Sequence, residues 1–354
     1  MNTTATLADF EQGVWLEGLT RDMLASGALS QYVHDRVVTG LITDTVCFRK
    51  AIRASTLYDA AIREAFGRGV SVEDVFVGLA LEDVSRAADL FRPMYDRTKG
   101  SNGWVSLDLS PLFARDADQM LAVAKDLHAR LGRPNIFIGI PGTQEGLSAA
   151  EEAILAGVPV NVGLLFSPEH YVAAADAFLR GIERRIAAGL SPNVAGVASV
   201  VVHRWGRVRT RNHSRPLIEQ LGLAIAKRTY KVHCTLLNSS RWQRARVSGF
   251  QPQRLVWISG TEKRSETFVL ALDTVNVITE RRLRAIADDG VTGNPLPADG
   301  GDCDEVLARS ARAGMDVHGL AARFQAERIR QLAKCWRDML ALITSRGVVC
   351  TDRR

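Results

Sequence analysis

Eight short runs rich in β-branched residues, separated by longer amphipathic stretches, predict an α/β fold: a parallel (β/α)8 TIM barrel with additional C-terminal helices packing on it. The strand runs are 14–17, 40–43, 104–108, 135–140, 158–164, 197–202, 255–259 and 275–278. Eight is the number that closes a barrel whose interior side chains alone fill it. The intervening patterns carry helix signals. One, over 117–131, opens behind Asp116; another, over 168–188, has Ser167 as a natural N-cap and Pro168 at the first helical position.

The rest of the chain fits one domain over 1–354, with 303–354 as a helical extension. Segment 290–302 is dense in Gly, Pro and Asp and reads as a loop within the domain. Helical patterns follow over 304–313 and 317–345. Of 354 residues, 46% are hydrophobic and 24% charged, as expected of a globular chain with a large core.

The net charge is +6, but basic residues are dispersed and no segment is both strongly basic and aromatic. That pattern argues against a nucleic-acid partner and for a small anionic one. The longest apolar run, 194–202, is about nine residues, far short of the roughly twenty of a membrane span. The first residues lack the basic and apolar regions of a signal peptide. Five scattered cysteines, Cys47, Cys234, Cys303, Cys335 and Cys350, form neither a disulfide framework nor a zinc pattern. The expected location is the cytoplasm. A homo-oligomer is left open.

Several blocks carry a resemblance: VWLEGLTRDML, GLITDTVCFRKAI, LFRPMYDRTKGSNGWVSLDLSP, RPNIFIGIPGTQEGLSA, GVPVNVGLLFSPEHY and VASVVVHRWG. In order and in nearly complete coverage of the chain, they resemble the strands of the transaldolase family. In that family the fourth strand ends in Lys-Ile-Pro, and the lysine forms an imine with a ketose. Here the segment is NIFIGIPGT, and the corresponding residue is Gly139. Glycine has no amine, so the resemblance implies that imine catalysis is lost at this position.

Further departures follow the same strands. The resemblance places catalytic carboxylates at Glu17 and Asp108, puts Asp44 where the family has Asn, and retains Asn161 on the fifth strand. Two residues on, Gly163 replaces a threonine. On the sixth strand Ser199 and Arg204 are kept, while Val201 replaces a large aromatic residue. Ser259 and Lys263 stand where the family grips phosphate.

Three physical consequences follow. Gly139, Gly163 and Val201 replace larger side chains, so the barrel mouth should be enlarged and able to take a larger or less polar ligand. Glu17, Asp44 and Asp108 end the first three strands on the face where barrel enzymes place their chemistry. Three acids without a lysine must either keep a proton on one of them or share a cation such as Mg²⁺. The alternative for Asp44 is an ordinary helix N-cap. Ser199, Arg204, Ser259 and Lys263 are expected to bind phosphate, unless Arg204 and Lys263 are simply surface charges.

The leading expectation is therefore an enzyme repurposed for specialised metabolism. It would perform lyase, isomerase or cyclase chemistry on a phosphate- or diphosphate-bearing small molecule, an isoprenoid diphosphate among the candidates. Carboxylates would supply acid–base catalysis, with or without Mg²⁺. Two other readings stand beside it: a pseudoenzyme that binds a metabolite or a protein partner, and a surviving aldolase that uses Lys263.

Overall fold

A computed structural model describes residues 12–35, 37–208, 215–259, 269–289 and 294–351. Eight parallel strands close a barrel in sequence order. They are β1 (Gly13–Glu17), β2 (Gly40–Thr43), β3 (Trp104–Asp108), β4 (Ile136–Pro141), β5 (Val160–Leu165), β6 (Gly196–Val201), β7 (Arg254–Ile258) and β8 (Val275–Thr279). β8 pairs with β1 along the whole length of both, which shuts the ring. The second and third strands fall where the sequence places them, and the others shift by one or two residues. One shift has a local cause. The pairing of β5 with β6 is irregular between Val162 and Leu165, and Leu164 takes a left-handed backbone, φ 58°.

Period-two alternation sends one set of side chains inward and the other toward the helices. At the amino ends the inward set is large and apolar. Trp15, Trp104, Phe137, Val197, Val256, Val275 and Val277 form one buried cluster. Trp104 stacks on Phe137 at 4.0 Å between ring centroids. Gly40 makes room for this floor, because a methyl group there would strike the Trp15 indole.

The helices follow their sequence signals. In Ala117–Leu131, Asp116 accepts the Gln119 amide, and Met120, Ala124, Leu127 and Leu131 are the buried stripe. In Pro168–Ala187, Ser167 accepts the His170 amide. The final helix, Val317–Thr351, packs against the helices Thr45–Ala54 and Asp59–Gly67. Trp336 meets Phe76 edge-on at 5.0 Å, and Arg346 donates to Asp59 at 2.6 Å. Its first half crosses the carboxyl ends of the strands and roofs the barrel mouth. Among the described residues no helix is long and apolar enough to cross a membrane.

Candidate functional site

A cavity of about 660 Å³ opens at the carboxyl ends of the strands and is lined by residues from all eight, with the final helix above. Glu17, Asp44 and Asp108 all line it. Asp44 caps the helix Thr45–Ala54: one carboxylate oxygen accepts the Cys47 amide at 2.8 Å. The other accepts from the Arg328 guanidinium at 3.1 Å. The N-cap reading of Asp44 is thus correct, and the residue faces the cavity as well.

Asp108 is partly buried at the end of β3 and lines the cavity. Burial pushes its carboxyl up to about 7; the charge of Asp44 adds to this and Arg328 opposes it. Burial also raises Glu17, again with help from Asp44 and against the pull of Arg328 and Lys50. The metal set expected from Glu17, Asp44 and Asp108 is not assembled. Among the described residues no three His, Cys, Asp or Glu side chains converge closely enough to hold an ion. Asp44 has both oxygens committed to Cys47 and Arg328, which accounts for its part in this.

The three expected cavity-enlarging positions differ from one another. Gly139 pairs with Asp108 on one side and Asn161 on the other. A methyl group built on it would collide with the Asp108 carboxylate and come within 2.9 Å of the Asp108 Cα. The space at Gly139 is therefore filled, by Asp108, and contributes no extra room. At Gly163 nothing lies within 4 Å of an added methyl group. Val201 lines the cavity and packs into an apolar cluster with Phe166, Trp205 and Phe324.

On the opposite wall Ser199 Oγ donates to Asn161 Oδ1 at 2.7 Å. Asn161 Nδ2 donates to Ser106 Oγ at 3.0 Å. Ser106 went unnoticed in the sequence, although it shares the inward parity of Trp104 and Asp108. Asn161 retains one amide hydrogen and one lone pair toward the cavity.

Of the expected phosphate ligands, Arg204 lines the cavity but donates to Glu327 of the final helix at 2.9 Å. Its guanidinium also lies 5.3 Å over the Phe324 ring. Ser259 falls just past β7, is buried and is absent from the lining. Lys263 lies outside the described residues.

Three further residues at the site were missed. Arg328 is one. Lys50 is another, lining the cavity from the helix Thr45–Ala54. The third, Gln325, donates to the carbonyls of Gly142 at 2.8 Å and Leu164 at 3.0 Å. It pins the irregular end of β5 beside Gly163.

A family model described as transaldolase/fructose-6-phosphate aldolase matches residues 14–343. Among similar proteins, a transaldolase of Thermobifida fusca is 33% identical over 350 residues, covering 94% of this chain and 95% of the relative. A transaldolase of Parafrankia sp. is 32% identical over 346 residues, covering 93% and 94%. "Transaldolase 2" of Nostoc punctiforme is 30% identical over 322 residues, covering 84% of each.

Proposed function

The chain belongs to the transaldolase/fructose-6-phosphate aldolase family, and from that premise we propose that it is an enzyme working through carboxylate acid–base chemistry instead of a lysine imine. One observation carries the reading: the Asp108 carboxylate lies against the Cα of Gly139, in the space a side chain on β4 would need. The position that the family resemblance gives to the imine lysine thus has no amine and no room for one.

Asp108 is the acid–base group in this reading. With its carboxyl near 7, it is present in both forms at neutrality, the condition under which one group can donate and recover a proton. Glu17 supplies a second carboxyl, raised by burial and by the charge of Asp44. Asn161, held by Ser106 and Ser199, orients a polar group of the substrate with its free amide hydrogen. Met23, Ile42, Phe166, Val201, Ile258 and Leu332 give the cavity apolar walls. Such walls suit a substrate less hydroxylated than a sugar, since each unpaired hydroxyl buried there is costly. The substrate class is a phosphorylated or diphosphate-bearing small molecule, and the reaction class is proton-driven elimination, isomerisation or cyclisation.

The test has two parts. A panel of such substrates is screened by thermal shift, and turnover is followed for those that bind. Asp108→Asn is expected to lower turnover by about 100-fold or more. Equal turnover in the variant would defeat the reading. Borohydride treatment with ketose phosphates is expected to leave the protein mass unchanged.

A second reading rests on Lys50, a lysine that lines the cavity. A trapped adduct lost in Lys50→Arg would establish an imine aldolase with a relocated lysine. Against it, Lys50 is exposed, whereas an imine-forming amine is normally activated by desolvation.

A further inference from the structure

We propose that Lys50 and Arg328 form an anion-binding pole on the β2 side of the cavity and take the phosphate or other oxyanion of the ligand. The family resemblance assigns that task to Arg204, Ser259 and Lys263. This inference deepens the acid–base reading and rests on it only in taking the same cavity as the ligand site.

The first argument is the state of the opposite wall. Arg204 already has a carboxylate partner in Glu327 and an aromatic face in Phe324. An incoming anion there would sit beside the charge of Glu327, as one at Arg328 would sit beside Asp44, but on the β2 side Lys50 adds a cation with no carboxylate partner among the described residues. Ser259 does not reach the lining.

The second argument is the supply of unused donors. Asp44, Cys47, Lys50, Ala51 and Ala54 run as one stripe of the helix Thr45–Ala54 along the cavity wall. Lys50 forms no ion pair among the described residues. Arg328 donates a single side-chain hydrogen bond there, to Asp44, so most of its five N–H groups remain available. A guanidinium fork and an ammonium lining one cavity match a tetrahedral oxyanion: the fork fixes orientation and the ammonium adds charge.

The third argument is the placement of charge. Lys50 and Arg328 are cations lining one cavity, and the acid nearest them, Asp44, is already held by Arg328 and by the Cys47 amide. The amino end of the helix Thr45–Ala54 adds its dipole in the same sense. An anion held there directs the rest of the ligand past Glu17 and Asp108 and onto the apolar wall around Val201.

Binding of inorganic phosphate to the full-length protein, followed by calorimetry with acetate as a comparison anion, tests the proposal. Lys50→Gln and Arg328→Gln are each expected to weaken phosphate binding by about tenfold or more, while Arg204→Gln changes it by less than about twofold. Tighter binding of acetate than of phosphate would reassign the pole to carboxylates. Lys50→Arg, which keeps the charge but forms no imine, is expected to retain affinity. Lys50 is exposed, so its variants do not depend on the fold tolerating a lost contact; an unchanged thermal midpoint verifies this.

Loss of phosphate binding in Arg204→Gln with none in Lys50→Gln overturns the proposal, as does an unmodified protein that binds no phosphate. Asp108→Asn separates the two ideas. Turnover lost with phosphate affinity kept supports both, and turnover unaffected defeats the acid–base reading while leaving the anion pole to be judged on Lys50.

Discussion

At the amino ends of the strands, Trp15, Trp104, Phe137 and four valines fill the barrel interior. At the carboxyl ends of those strands, Glu17, Asp108 and Gly139 border a cavity. Trp104 and Asp108 are four residues apart on β3 and point to the same side. The floor is apolar and interlocked. The mouth keeps three carboxylates close together and accepts the electrostatic penalty. Ser106, Asn161 and Ser199 lie between, a buried polar layer whose groups satisfy one another. Apolar packing is concentrated at one depth of the barrel and ionisable groups at the other, and the polar layer connects the two.

Substitutions at each depth can break this contrast. The largest expected effect is at the floor. Trp104→Ala removes a stacked indole from a closed interior and should cost about 3–5 kcal/mol in chemical denaturation. A loss of under about 1 kcal/mol would mean that the floor repacks freely and the contrast fails.

The mouth should behave in the opposite way. Asp108 has a folded-state carboxyl raised to about 7 from an ordinary value of 3.8. The folded protein therefore holds a proton that the unfolded chain has released between those limits, and stability falls as pH rises through that window. Glu17 acts in the same direction. Asp108→Asn should flatten the decline between pH 4 and pH 7 in denaturation experiments, without loss of stability at pH 7. A profile as steep as that of the unmodified protein would show that Asp108 is ionised throughout.

The smallest effect is expected in the layer between. Ser199→Ala leaves Asn161 Oδ1 without its donor and should cost about 1–3 kcal/mol. A neutral result would indicate that water replaces the hydroxyl and that the layer is wetter than the floor.

How much of this was legible in the sequence differs by residue. The strand rhythm, the caps at Asp116 and Ser167, and the three acids at strand ends are local signals, and each is found where it was expected. Gly139 could be identified as lacking a side chain, but not as occupied. That Asp108 fills its space depends on the register between β3 and β4, which no single segment encodes. Arg328 and Gln325 were invisible for a different reason. They lie in a long amphipathic helix whose pattern predicts packing but not which turn crosses the mouth. Ser106 was readable by parity alone, two residues from both Trp104 and Asp108. The expected metal set failed because the partner of Asp44 is a cation supplied from the far end of the chain.

That last contact sets a schedule for the newborn protein. Asp44 and Arg328 are 284 positions apart. At roughly 5–20 residues per second of synthesis, Asp44 leaves the ribosome some 15–60 seconds ahead of the arginine that will neutralise it. Throughout that interval the strands that carry the three acids exist without a roof. Gln325 and Glu327 arrive just before Arg328, and within about a second of translation the ends of β2, β4, β5 and β6 all acquire their tethers. The roof of the cavity thus follows all eight strands in order of synthesis, and a nascent barrel, however well packed below, has no finished pocket until it arrives.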